Sequence, residues 1–110
     1  MNFHEEIELS RGNKMEKKTP VLVTTDYRGV FFGKFVEDRD KGRTVVLADC
    51  HNCIYWGSSV RGFLGLASSG PDSSCRIGPP AAKTVLYGVT SISECSDNAV
   101  YAWEAQPWHS

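Results

Sequence analysis

The chain has 110 residues, enough for one domain and too few for two. Its hydrophobic content of 41% and charged content of 23% are those of a folded globular protein and argue against disorder. A formal net charge of −1 gives no electrostatic reason for non-specific binding to nucleic acid or to an anionic membrane surface.

No apolar run approaches the roughly 20 residues of a membrane-spanning helix. The first residues also lack the basic-then-apolar order of a secretory leader, because Glu5, Glu6 and Glu8 stand where the apolar segment would be. These features point to a cytoplasmic protein without a membrane partner. In that compartment Cys50, Cys53, Cys75 and Cys95 are expected to be reduced thiols or metal ligands.

Residues 1–18 are polar, balanced in charge and end just before Pro20, so they read as a flexible arm ahead of a single β-rich domain over residues 19–110. Met15 opens a second candidate start, MEKKTPVLV. Arg11-Gly12-Asn13-Lys14 back-translates to a purine-rich ribosome-binding sequence at a suitable distance before it. On that reading, many or all cellular copies begin at Met15.

From Pro20 the chain reads as strands. Val21 to Thr25 is apolar and β-branched, and Asp26-Tyr27-Arg28-Gly29 supplies turn chemistry. Val30 to Val36 is a second strand, apolar on both faces, which requires a core on one side and a partner or covering segment on the other. Asp38 to Gly42 is a hairpin connection, Arg43 to Cys50 a third strand, and Ile54-Tyr55-Trp56 continues or follows it. Val60, Phe63, Leu64 and Ala67 fall at helical spacing, with Ser58 or Ser59 as the N-cap, and predict one short helix near residues 58–68. Ser68 to Ser74 is a loop and Thr84 to Cys95 a long strand. Ser96 to Asn98 forms a turn or a single helical turn, and Val100 to Glu104 a last strand or a short helix. The expected fold is mainly β: a small twisted antiparallel sheet or open barrel carrying that helix.

The order Arg28-Gly29-Val30-Phe31-Phe32-Gly33, Ile54-Tyr55-Trp56-Gly57 and Gly65-Leu66-Ala67 carries the first half of a resemblance. Gly70-Pro71, Cys75-Arg76-Ile77-Gly78, Val89-Thr90, Ala99 and Trp108 carry the second. Together they resemble an uncharacterised family of short proteins encoded by bacteriophages and prophages, over roughly Val21 to Trp108. The resemblance transfers no functional residues. It implies a phage accessory gene, and small proteins of that kind often bind a host component, antiviral defence included.

Cys50-His51-Asn52-Cys53, with Cys75 and Cys95, could supply four zinc ligands. Against this, an extended segment would put Cys50 and Cys53 on opposite faces of a strand, and free cysteine is a common core residue. A thioredoxin-like redox role lacks its βαβ context. His4, His51 and His109 are the only histidines, no Gly-x-Ser-x-Gly elbow occurs, and no phosphate-binding glycine fingerprint is present. The acidic run Glu37, Asp38 and Asp40 fits a solvated hairpin better than an acid–base pair. Catalysis is therefore not expected, and no cofactor is implied.

Recognition is better supplied. Tyr55 and Trp56 offer stacking faces, and Arg61 and Arg76 offer guanidinium forks for phosphate. The competing reading makes Tyr55 and Trp56 core or interface residues and the arginines surface charges. The expectation is a non-enzymatic binding protein that antagonises host defence, either by sequestering a nucleotide signal or by binding a host protein. The doubly apolar second strand adds a homo-oligomer. The alternatives are a structural, self-assembling phage protein and a small enzyme acting on nucleotides.

Overall fold

The computed structural model describes residues 15–107. Most of the expected arm lies outside the described residues, as do Trp108 and the histidines at positions 4 and 109. Six strands, β1 (Pro20–Thr25), β2 (Gly29–Arg39), β3 (Thr44–Tyr55), β4 (Arg76–Ile77), β5 (Ala81–Tyr87) and β6 (Val89–Glu94), make one antiparallel sheet that is not closed. Two α-helices, α1 (Gly62–Ser68) and α2 (Asp97–Ala105), cover one face of it. The mainly β architecture is the expected one.

The sheet order is β6-β1-β2-β3, with β5 along the first part of the far edge of β3 and β4 along its end. β5 runs directly into β6 through Gly88, although the two strands lie at opposite ends of that order. The sheet must therefore bend round until its ends meet. The expected single strand from Thr84 to Cys95 is corrected here: Gly88 sits at φ +66, and a Cβ there would lie 2.7 Å from Asp26 Oδ2. The Asp26 N–H donates to the Gly88 carbonyl at 2.9 Å, pinning the break against the β1–β2 turn.

Bending gives the sheet an inner face of its own. Val21, Val23, Phe35, Val45, Leu47, Cys50 and Leu86 are buried together there, with Phe31, Val89, Ile92 and Met15 packed at the margins. The N–H of Lys18 donates to the Phe35 carbonyl at 2.7 Å, and Phe35 N–H donates back to Thr19 at 2.8 Å. Met15 to Thr19 is thus joined to the domain. On the outer face Leu22, Val30, Phe32, Cys53 and Ile77 meet Val60, Leu66, Ala67, Cys75, Ala99 and Trp103. Both apolar faces of β2 are covered within one chain, so its composition requires no second copy.

β3 keeps its hydrophobic residues on the right side by a bulge. Lys34 pairs with Ala48 and Phe32 with His51, which leaves one extra residue on β3, and Asp49 takes φ 49 there. Leu47 and Cys50 then share the inner face despite their odd spacing.

The helical region differs from its expectation. Ser58–Val60 is a single 3₁₀ turn, and α1 starts only at Gly62, with neither Ser58 nor Ser59 as its cap. Arg61 takes the left-handed conformation at φ 64 and ψ 47, which breaks the run in two. Gly65 lets the halves close up: a Cβ there would overlap the Val60 carbonyl. The C-terminal segment resolves as α2, capped by Ser96 Oγ accepting from the Ala99 N–H at 3.0 Å.

Trp103, fully buried, joins these layers. Its ring stacks on Phe32 with centroids 4.9 Å apart, and its Nε1–H donates to the Leu66 carbonyl at 3.0 Å, satisfying an acceptor in the last turn of α1. Trp103→Ala is expected to cost about 3–5 kcal/mol in urea unfolding, by cavity formation and loss of the stack. Trp103→Phe keeps the ring but orphans the carbonyl, and should cost about 1–3 kcal/mol in the same measurement.

Candidate functional site

The four expected ligand-binding residues are divided by the fold. Tyr55 and Trp56, at and just beyond the end of β3, line an open hollow of about 410 Å³ with Arg28 and Ile54. Arg76 stands across the β3–β4 ladder from Tyr55. Arg61 lies elsewhere, in a hollow of about 550 Å³ between α1 and the Ser69–Asp72 loop, and is not brought to Trp56.

The residue the sequence reading passed over is Arg28. The β1–β2 turn carries Tyr27 at φ 64 and Arg28 at φ 66, left-handed conformations normally left to glycine or asparagine. Pairing of Thr25 with Gly29 holds this turn beside the end of β3. Arg28 consequently lines both the Tyr55 hollow and an adjoining one of about 450 Å³, where Trp56, Val30, Phe63, Thr90 and Ser91 complete the walls. No local motif marks Arg28. Only the long-range pairing of β1, β2 and β3 puts it next to Trp56.

Hydroxyls line one side of the second hollow. Thr24 Oγ1 lies 2.7 Å from Thr90 Oγ1 and 2.5 Å from Ser91 Oγ. Three hydroxyls carry three protons and these two contacts use two, so one donor remains for a group outside the triad. Among the described residues, Arg28, Arg61 and Arg76 form no ion pair with a carboxylate, whereas Arg39 is held by Glu37. An arginine fork, an indole and hydroxyls around one hollow suit a ligand with an anionic group and a planar ring.

The cysteines do not assemble into the four-ligand set. Cys50 faces the inner core, while Cys53, Cys75 and Cys95 belong to the outer one. Alternation along β3 separates the Cys50–Cys53 pair as the spacing suggested. Among the described residues no group of three or more histidine, cysteine or acidic side chains could hold a metal ion. All four are free and buried. Burial pushes the thiols of Cys53 and Cys95 up to about 12, with nearby Cys75 and Glu94 respectively adding to the shift.

His51 is buried on β3, and its Nδ1 lies 2.8 Å from the Gly78 carbonyl. A carbonyl only accepts, so Nδ1 carries the proton. Ser59 Oγ donates to Asp72 at 2.6 Å, a pairing that superficially resembles an activated nucleophile. Asp72 is not a useful base. The hydroxyl of Ser59 and the hydroxyl and N–H of Ser74 hold its carboxyl down to about 2. A carboxylate that acidic has little affinity for a serine proton at neutral pH. Its hydrogen bonds instead fasten the loop before Cys75.

Two measurements check these assignments. Ellman's reagent at pH 8 should label the native protein far more slowly than the urea-unfolded chain, which should release all four thiols. Fast labelling of Cys53 or Cys95 in the native state would contradict their burial. For Asp72 the folded carboxyl titrates below the ordinary value, so its contribution to stability is present above about pH 4 and declines as pH falls towards 2. Asp72→Asn should remove that part of the acid sensitivity, read from melting temperatures between pH 2 and 5.

A comparison with curated proteins finds no match. A family model described as a domain of unknown function, DUF6948, matches residues 18–103, which takes in every strand and nearly all of α2. The chain belongs to the DUF6948 family.

Proposed function

We propose that the protein is a non-enzymatic binding protein that holds a phosphorylated nucleotide beside Trp56. The observation that carries this reading is Arg28, which pairs with no carboxylate among the described residues and shares with Trp56 the wall of a hollow of about 450 Å³. The guanidinium takes the phosphate, Trp56 and Phe63 meet the base, and the hydroxyl triad supplies a polar contact at the ring edge or sugar. Such a hollow falls within the range of small-molecule sites, about 300–1,000 Å³.

Catalysis is no part of this reading. Asp72 is held too acidic to take a serine proton, and His51 is tied through Nδ1 to the Gly78 carbonyl, so this reading gives neither a catalytic role. The biological setting follows from the sequence resemblance: a bacteriophage accessory protein in the cytoplasm of the infected host, withdrawing a nucleotide signal from antiviral defence. A host protein as the bound partner, and self-assembly as the purpose of the fold, are the competing readings.

Native mass spectrometry of the purified chain, followed by denaturing release, separates them. The expected result is a bound nucleotide, recovered intact, that is lost from Arg28→Ala and Trp56→Ala. Loss of one charge-assisted fork should weaken binding by about 10- to 100-fold. A bare protein that also fails to be thermally stabilised by any nucleotide would overturn the proposal. The same spectrum reports subunit number and therefore tests self-assembly.

A further inference from the structure

We infer that the ligand occupies both hollows that share Arg28 and Trp56, and that it is a dinucleotide whose linking phosphate sits at Arg28. This rests on the nucleotide reading above and narrows it to a class of ligand. The two hollows, about 450 and about 410 Å³, adjoin along the same two side chains. Each lies towards the small end of the range of ligand pockets and suits one nucleoside.

Their walls differ in a way that fits two rings and one charge. The larger offers Phe63 and the Thr24, Thr90 and Ser91 hydroxyls. The smaller offers Tyr55 as a stacking face beside the apolar Ile54, the two being 55% and 52% exposed, with no cation besides the shared Arg28. Arg28 is the one cationic side chain in either wall, and it belongs to both. Two separate mononucleotides would bring two phosphates, each carrying about −1.5 to −2 charges, against this single guanidinium. A phosphodiester brings one charge between two nucleosides. That is the balance the shared wall provides.

Joining the two halves makes the second contact intramolecular, which raises affinity without any new interaction. Isothermal titration of the full chain with adenosine and guanosine monophosphates, and with the linear dinucleoside monophosphates made from the same nucleosides, tests this. At least one dinucleotide should bind about 100-fold more tightly than its own monophosphate. Thr90→Trp and Ile54→Trp, each filling one hollow from an exposed position, should bring dinucleotide affinity down to the monophosphate level. Circular dichroism melts would show that both variants remain folded. A monophosphate that binds as tightly as its dinucleotide, or a dinucleotide insensitive to one of the two filling variants, would overturn the bridging inference and leave the nucleotide reading standing. Absence of binding by every one of these probes would overturn both.

Discussion

Trp103 is the joint on which the outer half of the molecule depends. Its ring lies flat on Phe32 of the sheet, and its nitrogen reaches the Leu66 carbonyl of α1. One side chain on α2 thereby fixes the distance between the sheet and both helices. α1 has only seven residues, with glycines at its first position and its middle. A helix so short and so poor in propensity is not stable alone. Its position comes from burial of Leu66 and Ala67 against the layer that Trp103 anchors. Phe63 and the start of the Trp56 groove follow from that position. The candidate site is therefore built on packing that begins on the far side of α1.

How much of this was legible in the sequence depends on the range of the interaction concerned. β1, β2 and β3 were readable because apolar and β-branched runs are local signals bounded by turn residues. The turn residues Ser96 to Asn98 were equally local, but Val100 to Glu104 is too short and too uniformly apolar to show whether its period is that of a helix or a strand. The break at Gly88 was marked by the glycine alone, since Leu86, Tyr87, Val89 and Thr90 all suit a strand. What forces it is the meeting of two sheet ends, a property of topology. The left-handed Arg61 was hidden for a similar reason: arginine in that conformation contradicts its propensity and is held there by the closure of Gly65 on Val60.

The site shows the same division. Tyr55 and Trp56 stood out because adjacent aromatics before a glycine are conspicuous. Arg61 and Arg76 were picked on residue type, which says nothing of where a loop will carry them. Arg28 looked like an ordinary turn residue, and in the chain alone it is one. Its significance arises because a hairpin tip, a strand end and a helix start are brought together by pairings that no single segment contains. The double apolar character of β2 was read correctly as a demand for cover on both sides. Within the chain that cover is supplied by the sheet's own curl together with the helices.

The order of strands in the curled, open sheet also shapes how the chain must fold. β1 lies in the interior of the strand order, yet its two neighbours come from very different distances: β2 follows at once through a three-residue turn, while β6 is the last strand made. Until β6 arrives, one edge of β1 presents unpaired amides and carbonyls beside Val21, Leu22 and Val23. A contact between segments so far apart in sequence carries a large loop-closure entropy and makes a slow step. The hairpin of β1 and β2 can form early. The inner core is sealed only when almost the entire domain has emerged, so the nascent chain must pass through a state with an open, apolar strand edge.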